Sequence, residues 1–269
     1  MEHPLNTSLE ADFSSGFEQR LMTVLADFQG ISLRELEAVS LQNRVDTKFL
    51  LRASALPDLL ERVKNQYHVL EIQEHRAFHY ETAYFDTPDA RFFRDHHNGK
   101  PNRLKVRMRR YVETDTCFFE VKEKVRGLRT HKTRLGRPDL AFHLSETEQT
   151  LLQRHVKTPL NFRLWTNFRR ITLARLQDHE RITIDLGLTF ADATQRRYTL
   201  PEWVIIEVKQ ARANLMSPVR QALRLLHGRT SGFSKYAIGF SLLWPESKHN
   251  AFKPILRGLQ PNQHHKKTA

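Results

Sequence analysis

The sequence predicts an α+β fold in which eight strands form one β-barrel or a highly curved sheet, with helices packed outside. Three observations carry this. Eight segments spread through the 269 residues alternate apolar and polar side chains, the signature of a half-buried strand. Most of them follow one another through short links, in hairpin order. Between and after them lie segments with apolar residues at helical spacing and helix-start signals.

Residues 1–30 read as an N-terminal extension with a weakly amphipathic, helix-compatible patch, FEQRLMTVLADF. SLRELEAV (32–39) reads as a short helix, with Ser32 as N-cap and Glu35 three residues on. NRVDTKFLL (43–51) is the first strand. SALPDLLERVKNQY (54–67) is a helix carrying Leu56, Leu59, Leu60 and Val63 on one stripe. FHYETAYFDT (78–87) is a strand ending at DTPD, a turn or helix start. After the HHNGKPN turn come three strands, RLKVRMRRYV (103–112), TCFFEVKEK (116–124) and LRTHKTRL (128–135). SETEQTLLQRHV (145–156) is a helix whose Ser145 and Glu148 complete a capping box. LWTNFRRITLARL (164–176), RITIDLGLTF (181–190) and EWVIIEVKQ (202–210) are the last three strands. SPVRQALRLLHG (217–228) is a helix with Pro218 in its first turn and Gly228 at its end. Residues 31–245 are therefore expected to be one domain, and the basic tail 246–269 to be disordered.

Composition narrows the function. A net charge of +13 points to a polyanionic partner: nucleic acid, polyphosphate, nucleotides or an anionic membrane surface. Cys117 is the single cysteine, which excludes an intrachain disulfide and a cysteine-based zinc site. No apolar run approaches the roughly 20 residues that span a bilayer, and MEHPLNTSLEADF does not resemble a signal peptide. The expectation is a cytoplasmic protein without a membrane segment of its own.

The charge is patterned. In RLKVRMRRY, Arg103, Lys105, Arg107 and Arg109 share one face and Leu104, Val106 and Met108 the other. Arg44, Asp46 and Lys48 align in the same way, as do Glu120, Lys122 and Lys124, and Lys132 with Arg134. Arg181, Thr183 and Asp185 form another such set, and so do Glu207 and Lys209. One strand of this kind is a wet, charged face. Six of them fit a charged lumen whose outer apolar faces are covered by helices. Crowded, desolvated cations cost several kcal/mol each unless paired, and four acidic residues are too few to neutralise them. A small or linear polyanion is the implied occupant; a DNA duplex is too wide. A carboxylate such as Glu207, on a strongly apolar strand, works against phosphate unless it holds a bridging divalent cation. Glu120 and Asp185 are weaker candidates for the same role, with a salt bridge as the alternative.

These residues carry a resemblance. RVDTKFLL, YETAYFDTPD, KVRMRRY, FFEVKEK, KTRL, RITID, IIEVK and FSKY, in this order over roughly residues 31–241, resemble the polyphosphate polymerase domain of vacuolar transporter chaperone (VTC) proteins. That group belongs to the triphosphate tunnel metalloenzymes. The resemblance implies an eight-stranded antiparallel tunnel, a barrel that binds ATP or polyphosphate, uses Mn²⁺ or Mg²⁺, and transfers the γ-phosphate to a growing polyphosphate chain. It implies phosphate contacts from Lys48, Arg107, Arg109, Lys122, Lys132 and Arg170, with Ser234 and Lys235 near the tunnel mouth and Glu207 as metal ligand. Arg169 adjoins Arg170, so a slip of register there is open. Polymerase members carry a basic residue two positions before the serine of FSKY, where this chain has Gly232. The cyclase and thiamine-triphosphatase branch has alternating glutamates before the lysine, where this chain has Arg44 and Asp46. Catalysis is thus expected from Arg107, Arg109, Lys122 and Glu207. A triphosphatase and a non-catalytic polyphosphate binder are the alternatives. Nucleic acid is not an expected partner, because few aromatics interleave with the bases of the charged faces.

Overall fold

Alternation leaves each strand one apolar face to hide, and the helices supply the cover. The computed structural model describes residues 13–38, 44–125 and 130–260. The chain begins with α1 (Ser15–Ala26), β1 (Gln29–Ile31), α2 (Leu33–Ala38), β2 (Val45–Arg52), α3 (Leu56–Val63), β3 (His68–Leu70), β4 (Phe78–Asp86) and α4 (Arg91–His97). It continues through β5 (Arg103–Tyr111), β6 (Thr116–Lys124), β7 (His131–Arg137), α5 (Glu146–Gln153), β8 (Asn161–Arg175), β9 (Glu180–Ala191), β10 (Arg197–Leu200) and β11 (Trp203–Gln210). α6 (Pro218–Leu225), β12 (Arg229–Thr230), α7 (Lys235–Leu243) and α8 (Lys253–Leu259) complete it. The capping box of α5 forms as expected, with the Glu148 amide donating to Ser145 Oγ and the Ser145 amide donating to the Glu148 carboxylate.

The eight expected strands are β2, β4–β9 and β11, and they lie side by side in one sheet of order β12-β2-β11-β9-β8-β4-β5-β6-β7. The expected closed eight-stranded barrel is not what forms: among the described residues the sheet has twelve strands and stays open. Closure would pair β7 with the outer edge of β2. That edge is taken by β12, through Arg229↔Leu50 and Thr230↔Phe49, and beyond it the Ser231 amide donates to the Lys48 carbonyl at 2.9 Å. Among the described residues nothing pairs with the outer edge of β7, whose Lys132 and Arg134 guard it against pairing with another chain. The additional strands β1, β3, β10 and β12 are two to four residues long, too short to display a period of two. β1 pairs with β3 in parallel, so the sheet is antiparallel except there.

Curvature replaces closure. β2 and β5 are five ladder steps apart, about 24 Å in a flat sheet. Yet Lys48 of β2 donates to the Phe233 carbonyl at 2.9 Å and Lys105 of β5 donates to Ser234 Oγ at 3.1 Å. The sheet therefore curls into a trough around the start of α7. On its convex side, Ile182, Ile184, Leu186, Val204, Ile206 and Val208 pack against α1, α3 and α6 in one core, and Phe85, Val106, Met108, Phe119 and Val121 pack with Leu152 of α5 in another.

β9 serves both sides because it carries a bulge. Between Asn167↔Thr189 and Arg169↔Leu186 it has one more residue than β8, and Gly187 there has φ +65°, a conformation glycine adopts without strain. Leu186 thus belongs to the convex core while Leu188 and Phe190 face the concave side. There they meet α7, whose Ala237, Ile238 and Phe240 fill one end of the trough with apolar side chains. Residues 250–259, expected to lie in a disordered tail, instead form a 3₁₀ turn and α8. Phe252 and Leu259 are buried there, and Trp203 Nε1 donates to the Leu259 carbonyl at 3.1 Å. The rest of that tail, 261–269, lies outside the described residues.

The contact of α7 with β9 depends on Gly239, where an added Cβ would lie 2.3 Å from Phe190 and 2.9 Å from Leu164. Gly239→Val is expected to lower stability by about 1–3 kcal/mol through overpacking, read as a lower urea midpoint at unchanged slope. A midpoint equal to the wild type would show that α7 does not seat on β9.

Candidate functional site

Residues directly opposite one another in a ladder share a face, so the register defines the lining of the trough. Lys48 lies opposite Glu207, Glu207 opposite Thr183, and Asp185 opposite Arg170. On the other wall Arg109 lies opposite Thr82, Arg107 opposite Glu120, Lys105 opposite Lys122 and Arg103 opposite Lys124. Lys132 and Arg134 of β7 face Lys122 and Glu120. The alternation of six separate strands thus converges on one concave surface.

Its carboxylates are each engaged. Glu120, 1% exposed, is bridged by Arg107 and Lys132, both at 2.6 Å, and by Arg134 at 3.2 Å. Asp185, 3% exposed, accepts both arms of Arg170 at 2.6 and 2.8 Å and an ion pair from Lys235. Burial alone would raise both carboxyls, but these cations outweigh it and hold both well below the usual carboxylate range. Glu207 pairs with Lys209 at 2.7 Å; burial opposes its ionisation, but Lys209 and Lys48 hold it at about 2. Asp46 pairs with Arg44 at 2.9 Å.

What remains is positive. Among the described residues, no carboxylate oxygen comes within ion-pair distance of Lys48, Lys105, Lys122, Arg109 or Arg181. Arg109 is 7% exposed and, among the described residues, meets Thr82 Oγ1 at 3.3 Å and the Tyr80 ring beneath its guanidinium. Burial pulls its pKa down, and Arg107 adds to that. Burial pulls the Lys105 ammonium down to about 7, with Lys48 and Lys122 lowering it further. Lys235, over the Phe168 ring, is pulled by burial to about 8 although Asp185 opposes this. The start of α7 adds the partial positive charge of a helix N-terminus. Such a surface binds an anion with several negative oxygens, and planar guanidiniums beside ammonium groups suit phosphate.

The structure brings Lys48, Arg107, Arg109, Lys122, Lys132, Arg170, Glu207, Ser234 and Lys235 to this one face. It also separates the adjacent arginines: Arg170 reaches Asp185 in the trough, whereas Arg169 pairs with Glu18 of α1 on the convex side. Lys209 and Arg181 line the trough as well, visible in the alternation but not among the site residues the resemblance implies. His96, in the HHNGKPN segment expected to be a turn, lies in the last turn of α4. It lies where Lys105, Arg103, Lys48 and Lys124 act on it, and no alternation could have shown that because it sits on a helix.

A divalent cation would find a limited donor set. Among the described residues no three histidine, cysteine or acidic side chains converge. Glu207 is ionised and is the carboxylate opposite Lys48, so it fits a Mg²⁺ or Mn²⁺ held by one carboxylate and completed by phosphate oxygens. Glu120 and Asp185 are committed to guanidinium and ammonium partners.

The family model described as VTC domain matches residues 43–244. No curated protein matches the sequence. Solved structures to which the chain is similar include the PH1819 protein of Pyrococcus horikoshii, at 15% identity and TM-score 0.45, covering 76% of this chain and 99% of that one. A Hippeastrum protein described as having a dominant triphosphatase activity is 12% identical at TM-score 0.42, covering 74% of this chain and 95% of its own. The RNA triphosphatase Pct1 of Schizosaccharomyces pombe is 9% identical at TM-score 0.29, covering 93% and 94%. Among the described residues no helix is long and apolar enough to cross a membrane.

Asp185 is the counter-charge that holds two trough cations. Asp185→Asn leaves Arg170 and Lys235 buried without it and is expected to cost about 3–5 kcal/mol, measured by urea denaturation near pH 7. A loss below 1 kcal/mol, within the range of exposed ion pairs, would show that the trough does not desolvate these charges.

Proposed function

Because the chain belongs to the VTC domain family, we propose that the trough binds the triphosphate of ATP and transfers its γ-phosphoryl group to the end of a polyphosphate chain. One observation supports this above the others: a concave face of lysine and arginine whose own carboxylates are already paired, leaving Lys48, Lys105, Lys122 and Arg109 without a carboxylate in ion-pair distance among the described residues. Phosphoryl transfer needs positioning and charge neutralisation more than covalent help.

The residues divide the work. Arg107, Arg109 and Lys122 hold the donor phosphates from one wall, and Lys48, Arg170 and Lys235 from the other. Lys132 lies at the open β7 edge, where a chain enters. Ser234 caps α7 and places Lys235. A terminal phosphate oxygen of the acceptor attacks the γ-phosphorus in line. The bond from that phosphorus to the β–γ bridging oxygen breaks, and ADP leaves with the electron pair. No general base is needed, because the attacking oxygen is already anionic. Glu207 would hold Mg²⁺ or Mn²⁺, whose chemistry there is the withdrawal of charge from the phosphate oxygens.

Gly232 favours a second reading, in which water replaces the acceptor and the product is free phosphate. Polymerase members have a basic side chain there, whereas here an added Cβ would meet nothing within 4 Å. A Cβ there would meet open space.

Purified protein incubated with ATP and Mn²⁺, with phosphate and polyphosphate followed separately, tests both readings. Glu207→Gln is expected to lower turnover at least ~100-fold, a loss of about 2.7 kcal/mol of transition-state stabilisation, while triphosphate still binds. Gly232→Lys is expected to fold with stability within about 0.5 kcal/mol of wild type and to shift product from phosphate toward polyphosphate. Unchanged turnover in Glu207→Gln would remove the metal assignment. Binding with no product from the wild type would leave a non-catalytic polyphosphate binder.

A further inference from the structure

Between Glu207 and Glu246 the sequence holds no aspartate or glutamate. That stretch carries the loop 211–216 and α6, which buries Val219, Ala222 and Leu223 on the convex side of the sheet. Of the large apolar side chains exposed among the described residues, Leu215, Met216 and Leu225 are the most exposed, at 67%, 67% and 63%. The others are scattered singly over other elements, the ordinary condition of a protein surface. The loop is tied down at both ends. The Gln210 side chain accepts from the Asn214 amide at 3.1 Å and donates to the Asn214 carbonyl at 3.2 Å. The Met216 amide donates to Asn214 Oδ1 at 2.9 Å, and Gln221 Nε2 donates to the Met216 carbonyl at 2.8 Å. Gln221 and Leu225 are four residues apart and so share the outer face of α6. The bond from Gln221 sets Met216 at the start of that same face.

Arg212 of the loop and Arg224 of the helix are exposed as well. Among the described residues neither has a carboxylate within ion-pair distance, whereas Arg20 and Arg94, exposed on α1 and α4, pair with Asp58 and Asp89. We propose that the loop 211–216 and the outer face of α6 dock on an anionic lipid bilayer. Leu215, Met216 and Leu225 enter the acyl boundary, and Arg212 and Arg224 meet lipid phosphates. Apolar side chains flanked by cations suit that boundary, and anionic lipid supplies the charge this face lacks. The face lies on the convex side of the sheet, away from the trough, so lipid docking and phosphoryl transfer stand or fall separately.

Other occupants fit less well. Three side chains cannot furnish the roughly 1,000 Å² of a stable protein interface, whereas a bilayer accepts them one at a time. A second copy docked face to face would set arginine against arginine. The loop has no aromatic side chain, which stacking on the bases of a nucleic acid would require. The attraction of the exposed arginines to lipid phosphate is screened by salt, and the apolar insertion is not. Because the whole chain carries a net charge of +13, anionic vesicles by themselves do not separate this face from the trough. Its apolar side chains do.

The test is co-sedimentation of the full chain with vesicles of phosphatidylcholine alone and of equal parts phosphatidylcholine and phosphatidylglycerol, at about 0.15 M salt. The wild type is expected to bind the mixed vesicles at least about tenfold more tightly than the neutral ones. Leu215→Ser combined with Met216→Ser is expected to lower the affinity for mixed vesicles at least about tenfold with the charge unchanged. Arg212→Gln combined with Arg224→Gln is expected to lower it by about as much. Leu33→Ser, which removes an exposed apolar side chain from α2 instead, is expected to bind as the wild type does. All these positions are exposed, so every variant is expected to keep the wild-type urea midpoint. A wild type that does not bind mixed vesicles, or does not prefer them, would overturn lipid docking and leave the face to an acidic protein partner. Binding undiminished in either double variant would overturn it too, because the cations of the trough would then be holding the lipid.

Discussion

Lysines face lysines across the walls of the trough, and the rest of the structure exists to hold them there. Lys105, Lys122 and Lys132 lie in one row across β5, β6 and β7, without intervening carboxylates. Lys105 is half-buried while Lys122 and Lys132 are exposed, and Lys132 also reaches Glu120. Water and that carboxylate screen part of a repulsion that the row still carries. The opposing term is apolar and sits on the convex side. Ile182, Ile184, Ile206, Val208 and their neighbours are fully buried against α1, α3 and α6, each worth about 1.5–3 kcal/mol of transfer free energy. Because every strand presents one charged and one apolar face, the repulsion and the stabilisation are carried by the same backbone. The fold cannot relax its cations apart without exposing its core.

Three carboxylates decide where positive charge stays free. Glu120 and Asp185 neutralise their own rows almost completely, through Arg107, Lys132 and Arg134 in one case and Arg170 and Lys235 in the other. Glu207 is less committed, with Lys209 as its close partner and Lys48 across the ladder. That difference separates two ion-pair clusters from one less committed carboxylate, the one proposed to hold the divalent cation. α7 closes one end of the trough with apolar side chains and presents Ser234 and Lys235 to the charged part. A site open at one end and plugged at the other suits a substrate with a reactive terminus.

Much of this was legible in the sequence, and the part that was not has physical reasons. The long strands announced themselves because a period of two survives over eight or more residues; β12, two residues long, has no period, yet it occupies the β2 edge and keeps the sheet open. Plain alternation through RITIDLGLTF places Ile182 through Phe190 on a single face. The Gly187 bulge breaks that rule and splits the run between two cores. Arg169 and Arg170 could not be ranked from order alone, since one residue of slip exchanges faces. Lys105 stood in plain view among the cations of its strand, but its isolation from carboxylates is a property of the assembled walls. His96, on a helix distant in sequence from β2 and β6, is brought to their lysines only by the tertiary fold.

The central claim is that a phosphate chain is the missing counter-charge of the trough. Thermal unfolding of the full chain with tripolyphosphate, against sulfate and chloride at matched ionic strength, tests it most directly. At about 100-fold excess over its dissociation constant, a ligand of the folded state adds about 2.7 kcal/mol, a rise of about 5–10 °C for a domain of this size. That rise is expected with tripolyphosphate, and little change with the other salts. Equal midpoints in all three would contradict it, because a trough short of negative charge cannot be indifferent to the anion that fits it.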